Sequence, residues 1–202
     1  MKITEIFRSL QGEGKNQGKP CLFIRLAGCN LNCRWCDTPG SQSGGVTMSL
    51  DTILEQVWRI NPPYVCITGG EPLLQGEELE RLLDSLHKRG TIIDIETNGT
   101  IDFSRFQPFA SVCMDVKCPF SGEQSDLSLL EKLRPEDTVK FVVKDETDCQ
   151  YAQGIIRTHR IPCEIFISPV CGTDYKVISE FILKNNLPAR MQVQLHKVIG
   201  VK

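Results

Sequence analysis

Residues 29–36 read Cys-Asn-Leu-Asn-Cys-Arg-Trp-Cys, three cysteines spaced CxxxCxxC on one short stretch. Three thiolates placed in this way can hold three irons of a 4Fe-4S cluster, and no fourth cysteine completes the set at nearby spacing. The fourth iron is then open to a ligand that is not protein. An open iron on a low-potential cluster is a place for chemistry as well as for an electron. Other uses of Cys29, Cys33 and Cys36 fit less well. Structural zinc takes four protein ligands, as two CxxC pairs or with paired histidines, and the nearest histidine here is His87. A disulfide framework belongs to small secreted proteins, yet residues 1–10 hold no apolar run behind a basic start. A thioredoxin-like pair would use Cys33 and Cys36 and leave Cys29 idle.

The rest of the composition sets bounds. The 202 residues fit one domain with a sizeable core, here taken as 1–202 with the cluster loop at 28–38. Charged residues make up 24% and hydrophobic residues 41%, as in ordinary globular proteins. A net charge of −2 argues against nucleic acid as a partner, which calls for a basic face. No apolar stretch of about 18 residues is present to span a membrane. Ten cysteines without a secretion signal point to a reducing cytoplasm. The seven outside the motif are Cys21, Cys66, Cys113, Cys118, Cys149, Cys163 and Cys171. Most sit in apolar runs as small buried hydrophobes, while Cys118 and Cys171 follow strand ends and could face a cleft.

Something must position the cysteine loop. Strand-like runs cover 2–7, 21–26, 64–68, 91–96, 111–117, 138–143, 163–168 and 191–196. Helical faces alternate with them: Leu50, Ile53, Leu54, Val57 and Trp58, with Ser49 or Asp51 as cap; Leu79, Leu82, Leu83 and Leu86; and Val177, Ile178, Phe181 and Ile182. A weaker helix covers about 148–159. Strand–helix–strand alternation means a parallel sheet with right-handed crossovers. A full eight-fold barrel takes about 250 residues, so the fold expected is α/β, an open partial (β/α) barrel with parallel strands. Ligands collect at the C-terminal edge of such strands. That edge carries the cysteine loop, Thr68-Gly69-Gly70-Glu71-Pro72, Glu96-Thr97-Asn98-Gly99-Thr100, Lys117-Cys118-Pro119, Ser168-Pro169 and His196-Lys197. Each alone reads as a turn; their shared rim favours a single site.

CxxxCxxC with Trp35 before its last cysteine, followed by Gly-Gly-Glu-Pro at 69–72, resembles the radical S-adenosylmethionine (SAM) superfamily. The resemblance implies that the amino and carboxylate groups of S-adenosyl-L-methionine chelate the open iron. One electron then releases a 5′-deoxyadenosyl radical. Gly69 and Gly70, lacking side chains, would let backbone carbonyls approach the cofactor, with Glu71 beside them. Trp35 either flanks the adenine or anchors the loop by packing. Asn98 and Glu96 would reach the ribose, the bland reading of Glu96 being a solvated strand end.

The segments 5–14, 23–29, 35–38 and 194–197 resemble the 7-carboxy-7-deazaguanine synthase family, from near residue 3 to near residue 197. Such enzymes convert 6-carboxy-5,6,7,8-tetrahydropterin to the 7-deazaguanine skeleton with loss of ammonia, feeding 7-deazapurine and queuosine-type biosynthesis. The resemblance implies that Thr38 gives its hydroxyl to a Mg2+ ion that also holds the substrate carboxylate; otherwise it is a turn hydroxyl before Pro39. Arg25, inside the apolar run at 22–27, needs an anion: either the substrate carboxylate, or Glu13 or Asp37. Leu10, Gln11, the Gly12 backbone and Glu13 would meet the pterin's amide and amino edge, with Thr68 and His196 completing the pocket. His196, alternating with Gln194, could instead face solvent from a strand.

Where the family often shows Ser-Pro-Lys, this chain has Asp115-Val116-Lys117, which keeps the lysine and changes the cofactor contact at 115. The carboxylate of Lys202 is expected to fold over the pocket and accept from the pterin. The resemblance also implies a flavodoxin- or ferredoxin-type reductant and a homodimer. Two rivals remain at this level. A glycyl-radical-enzyme activase would need a wide mouth for a protein segment. A non-catalytic electron carrier would need neither the Gly-Gly-Glu-Pro segment nor the polar rim.

Overall fold

The alternation of apolar runs and helical faces becomes one sheet backed by helices in the computed structural model, which describes Met1–Lys202. The strands are β1 (Lys2–Leu10), β2 (Pro20–Leu26), β3 (Val46–Thr47), β4 (Tyr64–Gly69), β5 (Ile92–Thr97), β6 (Ser111–Lys117), β7 (Thr138–Val143), β8 (Glu164–Pro169) and β9 (Arg190–Met191). The helices are α1 (Leu50–Ile60), α2 (Gly76–His87), α3 (Glu146–Thr158), α4 (Tyr175–Lys184) and α5 (Leu195–Ile199). Sheet order is β3-β1-β2-β4-β5-β6-β7-β8-β9, and no ladder joins β3 to β9, so the barrel is open. No helix is long and apolar enough to cross a membrane.

From β2 onward every pairing is parallel, as expected. The near edge differs: β1 runs antiparallel to both β2 and β3. The chain between β1 and β2 is too short for a crossover, which leaves a hairpin. Residues 8–10, beyond the expected strand over 2–7, extend β1 by pairing with 20–22 of β2. At the far edge, the expected strand over 191–196 is only Arg190–Met191, and His196 lies on α5. The reason is local. The Gln192 side-chain amide accepts from the Gly14 N–H (2.6 Å) and donates to the Gly14 carbonyl (2.9 Å). Leu195 N–H then donates to the Gly12 carbonyl (3.0 Å). Loop 11–19 is thereby stitched to segment 192–195 across the open side.

Helix starts follow their caps. Ser49 accepts from Thr52 N–H, Asp145 from Asp148 N–H, and Asp174 from the N–H groups of Lys176 and Val177. The helices press Ile53, Val57, Leu79, Leu82, Leu83, Leu86, Ala152 and Ile178 onto the convex side of the sheet, in one continuous core. Burying each valine, leucine or isoleucine among them stabilises the fold by ~1.5–3 kcal/mol. The strands contribute Ile24, Leu26, Ile67, Ile95, Met114, Val139 and Phe141 to that core. Successive side chains of a strand point to opposite faces. Arg25, Thr68, Glu96, Asp115 and Lys140, interleaved with those residues, therefore meet on the concave face. The register sets Glu5 against Arg25, Arg25 against Thr68, and Asp115 against Lys140.

Candidate active site

The concave face and its rim enclose a cavity of about 780 Å³, within the ~300–1,000 Å³ range of ligand sites. It is lined by Cys29, Cys33, Cys36, Trp35, Thr38, Gly69, Gly70, Glu96, Asn98, Asp115, Lys117, Leu10, Gln11, Gly12, Glu13, Arg25, Thr68, His196 and Lys202. Of the residues expected at the site, Glu71 alone is missing. Its carboxylate is buried and accepts from Thr97 Oγ1 (3.0 Å to each oxygen), Asn98 N–H (2.7 Å) and Leu73 N–H (3.0 Å). Glu71 thus braces the 69–72 segment against the loop after β5 instead of facing a ligand. Burial pushes its carboxyl up despite these donors.

The cysteine loop is held by backbone bonds. Gly28 N–H donates to Ser41 O (2.8 Å), Glu71 N–H to Gly28 O (2.8 Å) and Arg34 N–H to Ser121 O (3.0 Å). Gly69 and Gly70 serve this docking. A Cβ at Gly69 would lie 2.1 Å from Leu26 O, and one at Gly70 2.1 Å from Gly28 O. The three thiols are unpaired and half-buried. Cys29, Cys33 and Cys36 all line the cavity from one loop, and three thiols so placed are the donor set that three irons of a cluster take. Of the two other thiols expected near a cleft, Cys171 lines this cavity and Cys118 is fully buried in the core. Cys21, Cys66, Cys113 and Cys149 are also buried, as small hydrophobes.

Three cavity-lining residues carry buried polar atoms without a partner, Thr4 Oγ1, Trp35 Nε1 and Asp115 Oδ1, and the last two lie on the cofactor side. A free donor and a free acceptor beside the cysteine loop fit a ligand with both functions, as an adenosine has. Asp115 Oδ2 accepts from Lys117 Nζ (3.0 Å), which lies 5.0 Å from the Trp35 ring centre. Asn98 donates to Asn30 Oδ1 (3.0 Å) and accepts from Thr100 Oγ1 (2.7 Å), so its amide is already oriented. Glu96 is no solvated strand end. Burial, with Glu13, Asp115 and Asp94 nearby, pushes its carboxyl up to about 7 against the pull of Lys140.

The far end of the cavity is ionic. Arg25 Nε donates to Glu5 Oε1 at 2.9 Å, so its partner within the chain is neither Glu13 nor Asp37. The guanidinium carbon sits 5.4 Å from the Phe7 ring centre, and Phe7 stacks on Phe23 at 5.0 Å. The two terminal nitrogens of Arg25 make no bond within the chain. Glu13 is buried, paired with Lys140 and accepting from Gln194 Nε2 (2.6 Å). Burial would raise its carboxyl, but the Lys140 ammonium outweighs that and holds it below the usual range. Gln11 spends its amide N–H groups on Tyr64 Oη (3.2 Å) and Glu96 Oε1 (3.2 Å). The His196 ring packs over Gly12, and burial lowers its pKa, which keeps it neutral near pH 7. Lys202 lies at the cavity mouth, where a main-chain oxygen of its carboxylate accepts from Ser9 Oγ and its ammonium pairs with Glu5. Glu5, Phe7 and Lys140 were not anticipated. Lys140 carried the signal that flagged Arg25, a lone cation in an apolar strand.

Residues 23–116 match the Radical SAM superfamily. The 7-carboxy-7-deazaguanine synthase of Methanospirillum hungatei is 55% identical over 201 residues, covering 100% of this chain and 86% of that protein. The one from Chlorobaculum tepidum is 39% identical, covering 98% and 94%. The crystal structure of QueE from Escherichia coli superposes with a TM-score of 0.79 at 29% identity, covering 96% of this chain and 94% of that one. At 12% identity, SuiB of Streptococcus suis (TM-score 0.60) shares the fold. The chain therefore belongs to the 7-carboxy-7-deazaguanine synthase family of the radical SAM superfamily.

Proposed function

We propose that this chain converts 6-carboxy-5,6,7,8-tetrahydropterin to 7-carboxy-7-deazaguanine with release of ammonia, a carbon–nitrogen lyase working as one domain over 1–202. One observation supports this most: the cysteine loop and a buried set of fixed charges open into the same cavity. When bound there, a 4Fe-4S cluster on Cys29, Cys33 and Cys36 with S-adenosyl-L-methionine supplies the radical that takes a hydrogen from the substrate.

The chain's own residues do the rest. Trp35 Nε1 and Asp115 Oδ1 are free to meet the adenosine, and Glu96, near half-protonated at neutral pH, can both donate to and accept from a ribose diol. The terminal nitrogens of Arg25 take the substrate carboxylate as a fork. The Thr38 hydroxyl caps nothing in its own turn, which leaves it for a Mg2+ ion on that carboxylate. Glu13 accepts from the guanidine-like edge, and neutral His196 closes over it. The enclosed floor keeps water from a reactive carbon. We further propose a flavodoxin- or ferredoxin-type reductant, a homodimer, a cytoplasmic location and a role in 7-deazapurine (queuosine-type) biosynthesis. A glycyl-radical activase gains no support, because the ionic floor is sized for a small molecule.

Anaerobic incubation of the iron-reconstituted protein with the carboxypterin, S-adenosylmethionine, Mg2+ and reductant tests the reading. The expected result is the absorbance of the deazapurine product. Cofactor cleavage with no pterin consumed would refute it.

A further inference from the structure

Lys140 sits in the run Thr-Val-Lys-Phe-Val-Val of β7 with its side chain 5% exposed. Its ammonium is paired with Glu13 and stands 3.8 Å from Glu96 Oε2 and 3.9 Å from Asp115 Oδ2. These carboxylates arrive from three separate segments, the loop after β1, β5 and β6, and all three line the cavity. A buried charge must be paired or be neutralised by a proton. Lys140 is the cation these three share. On Glu13, Lys140 Nζ donates to one oxygen and Gln194 Nε2 to the other, so the carboxylate plane is fixed at both ends. Each oxygen keeps a lone pair for a further donor.

We propose that Lys140 is a positioning residue for substrate recognition: it holds Glu13 as an aimed anion that accepts hydrogen bonds from the donor-rich edge of the substrate ring. This rests on the substrate reading above. The titratable groups around Glu13 are Lys140, neutral His196 on α5, Glu96 on β5 and the neutral Cys113 thiol on β6, with Asp115 of β6 joined through Lys140. Without Lys140, Asp115 keeps Lys117, and neither Glu13 nor Glu96 has a cation of its own. Burial, no longer opposed by Lys140, then raises the Glu13 carboxyl, and in its protonated form it presents a donor to a donor edge.

The test compares Lys140→Met and Lys140→Arg with the parent enzyme, reading KM and kcat for the carboxypterin from pH 6.5 to 9. Lys140→Met should raise KM about thirtyfold near neutral pH, the loss of one charged hydrogen-bond partner. Its KM should fall as pH rises, while the parent's stays flat, and Lys140→Arg should restore most of the affinity. An unchanged KM in Lys140→Met, with the parent active, overturns the proposal. A parent enzyme that does not consume the pterin overturns instead the substrate reading. If Lys140→Met does not fold, Glu13→Gln/Lys140→Met is compared with Glu13→Gln. Equal KM values support action through Glu13; a further rise, or failure of the double variant to fold, overturns it.

Discussion

Gly12→Ala is a small change with a large expected consequence. The backbone at Gly12 is not in the left-handed region, so an alanine there costs nothing in dihedral strain. The obstacle is steric. A Cβ at this position would lie 2.0 Å from His196 Nδ1 and 2.9 Å from Cγ of the same ring, where ordinary contact begins near 3.4 Å. The ring must therefore retreat by about 1.4 Å. Its helix has little freedom to follow, because Leu195 N–H is bonded to the Gly12 carbonyl itself. Overpacking of this kind costs ~1–3 kcal/mol, or a fall in Tm of about 2–4 °C for each kcal/mol in a chain of this size. A misplacement of about 1 Å at a reacting site costs ~100-fold. We expect kcat/KM for the carboxypterin to fall about 100-fold. The double variant Gly12→Ala/His196→Ala should recover the Tm without recovering kcat/KM. A Gly12→Ala enzyme within threefold of the parent would show that His196 does not close the pocket, and the reasoning would fail.

Three other perturbations separate the roles assigned here. Arg25→Met removes the fork for the substrate carboxylate and should raise KM about 10- to 100-fold, while Glu5 keeps Lys202 as a partner; an unchanged KM would return Arg25 to a purely structural pairing. Thr38→Ala should lower activity and flatten its response to added Mg2+, and a titration identical to the parent's would remove Thr38 from the metal. The Glu96 carboxyl, displaced upward from an ordinary value of 4.5 to about 7, makes stability depend on pH. The folded chain keeps a proton that the unfolded chain releases, so this contribution is present below 4.5 and is lost as pH rises through 7. Glu96→Gln should therefore raise the Tm of the metal-free protein at pH 8 and leave it unchanged near pH 4.5, as followed by calorimetry; equal shifts at both pH values would contradict the assignment.

How far the residues alone revealed this site depended on how local each signal was. The cysteine loop and the rim of Gly, Asn and Thr segments were legible because a few neighbouring residues carry each one. The hydrophobic runs located β2 and β4–β8 because parallel strands are buried on both faces. Arg25 stood out as a cation in an apolar run, and Lys140 in Thr-Val-Lys-Phe-Val-Val meets the same criterion. The partner of Arg25 was not legible, because Glu5 reaches it through an antiparallel register that only the sheet defines. Segment 191–196 alternates like a strand, yet Gln192 gives its side chain to Gly14, a contact 178 positions away in the chain. Glu71 belongs to a motif that borders the cavity, but its carboxylate turns inward to three donors of the scaffold. Proximity in a motif did not reveal direction.

The central claim is that three thiolates leave one iron open to S-adenosylmethionine. Electron paramagnetic resonance of the anaerobically reconstituted, reduced protein, recorded with and without S-adenosylmethionine, tests it most directly. The account requires a reduced 4Fe-4S signal that Cys33→Ala abolishes and that changes shape when S-adenosylmethionine is added. A signal indifferent to S-adenosylmethionine, or a protein that holds tetrahedral zinc and takes up no iron, would contradict it.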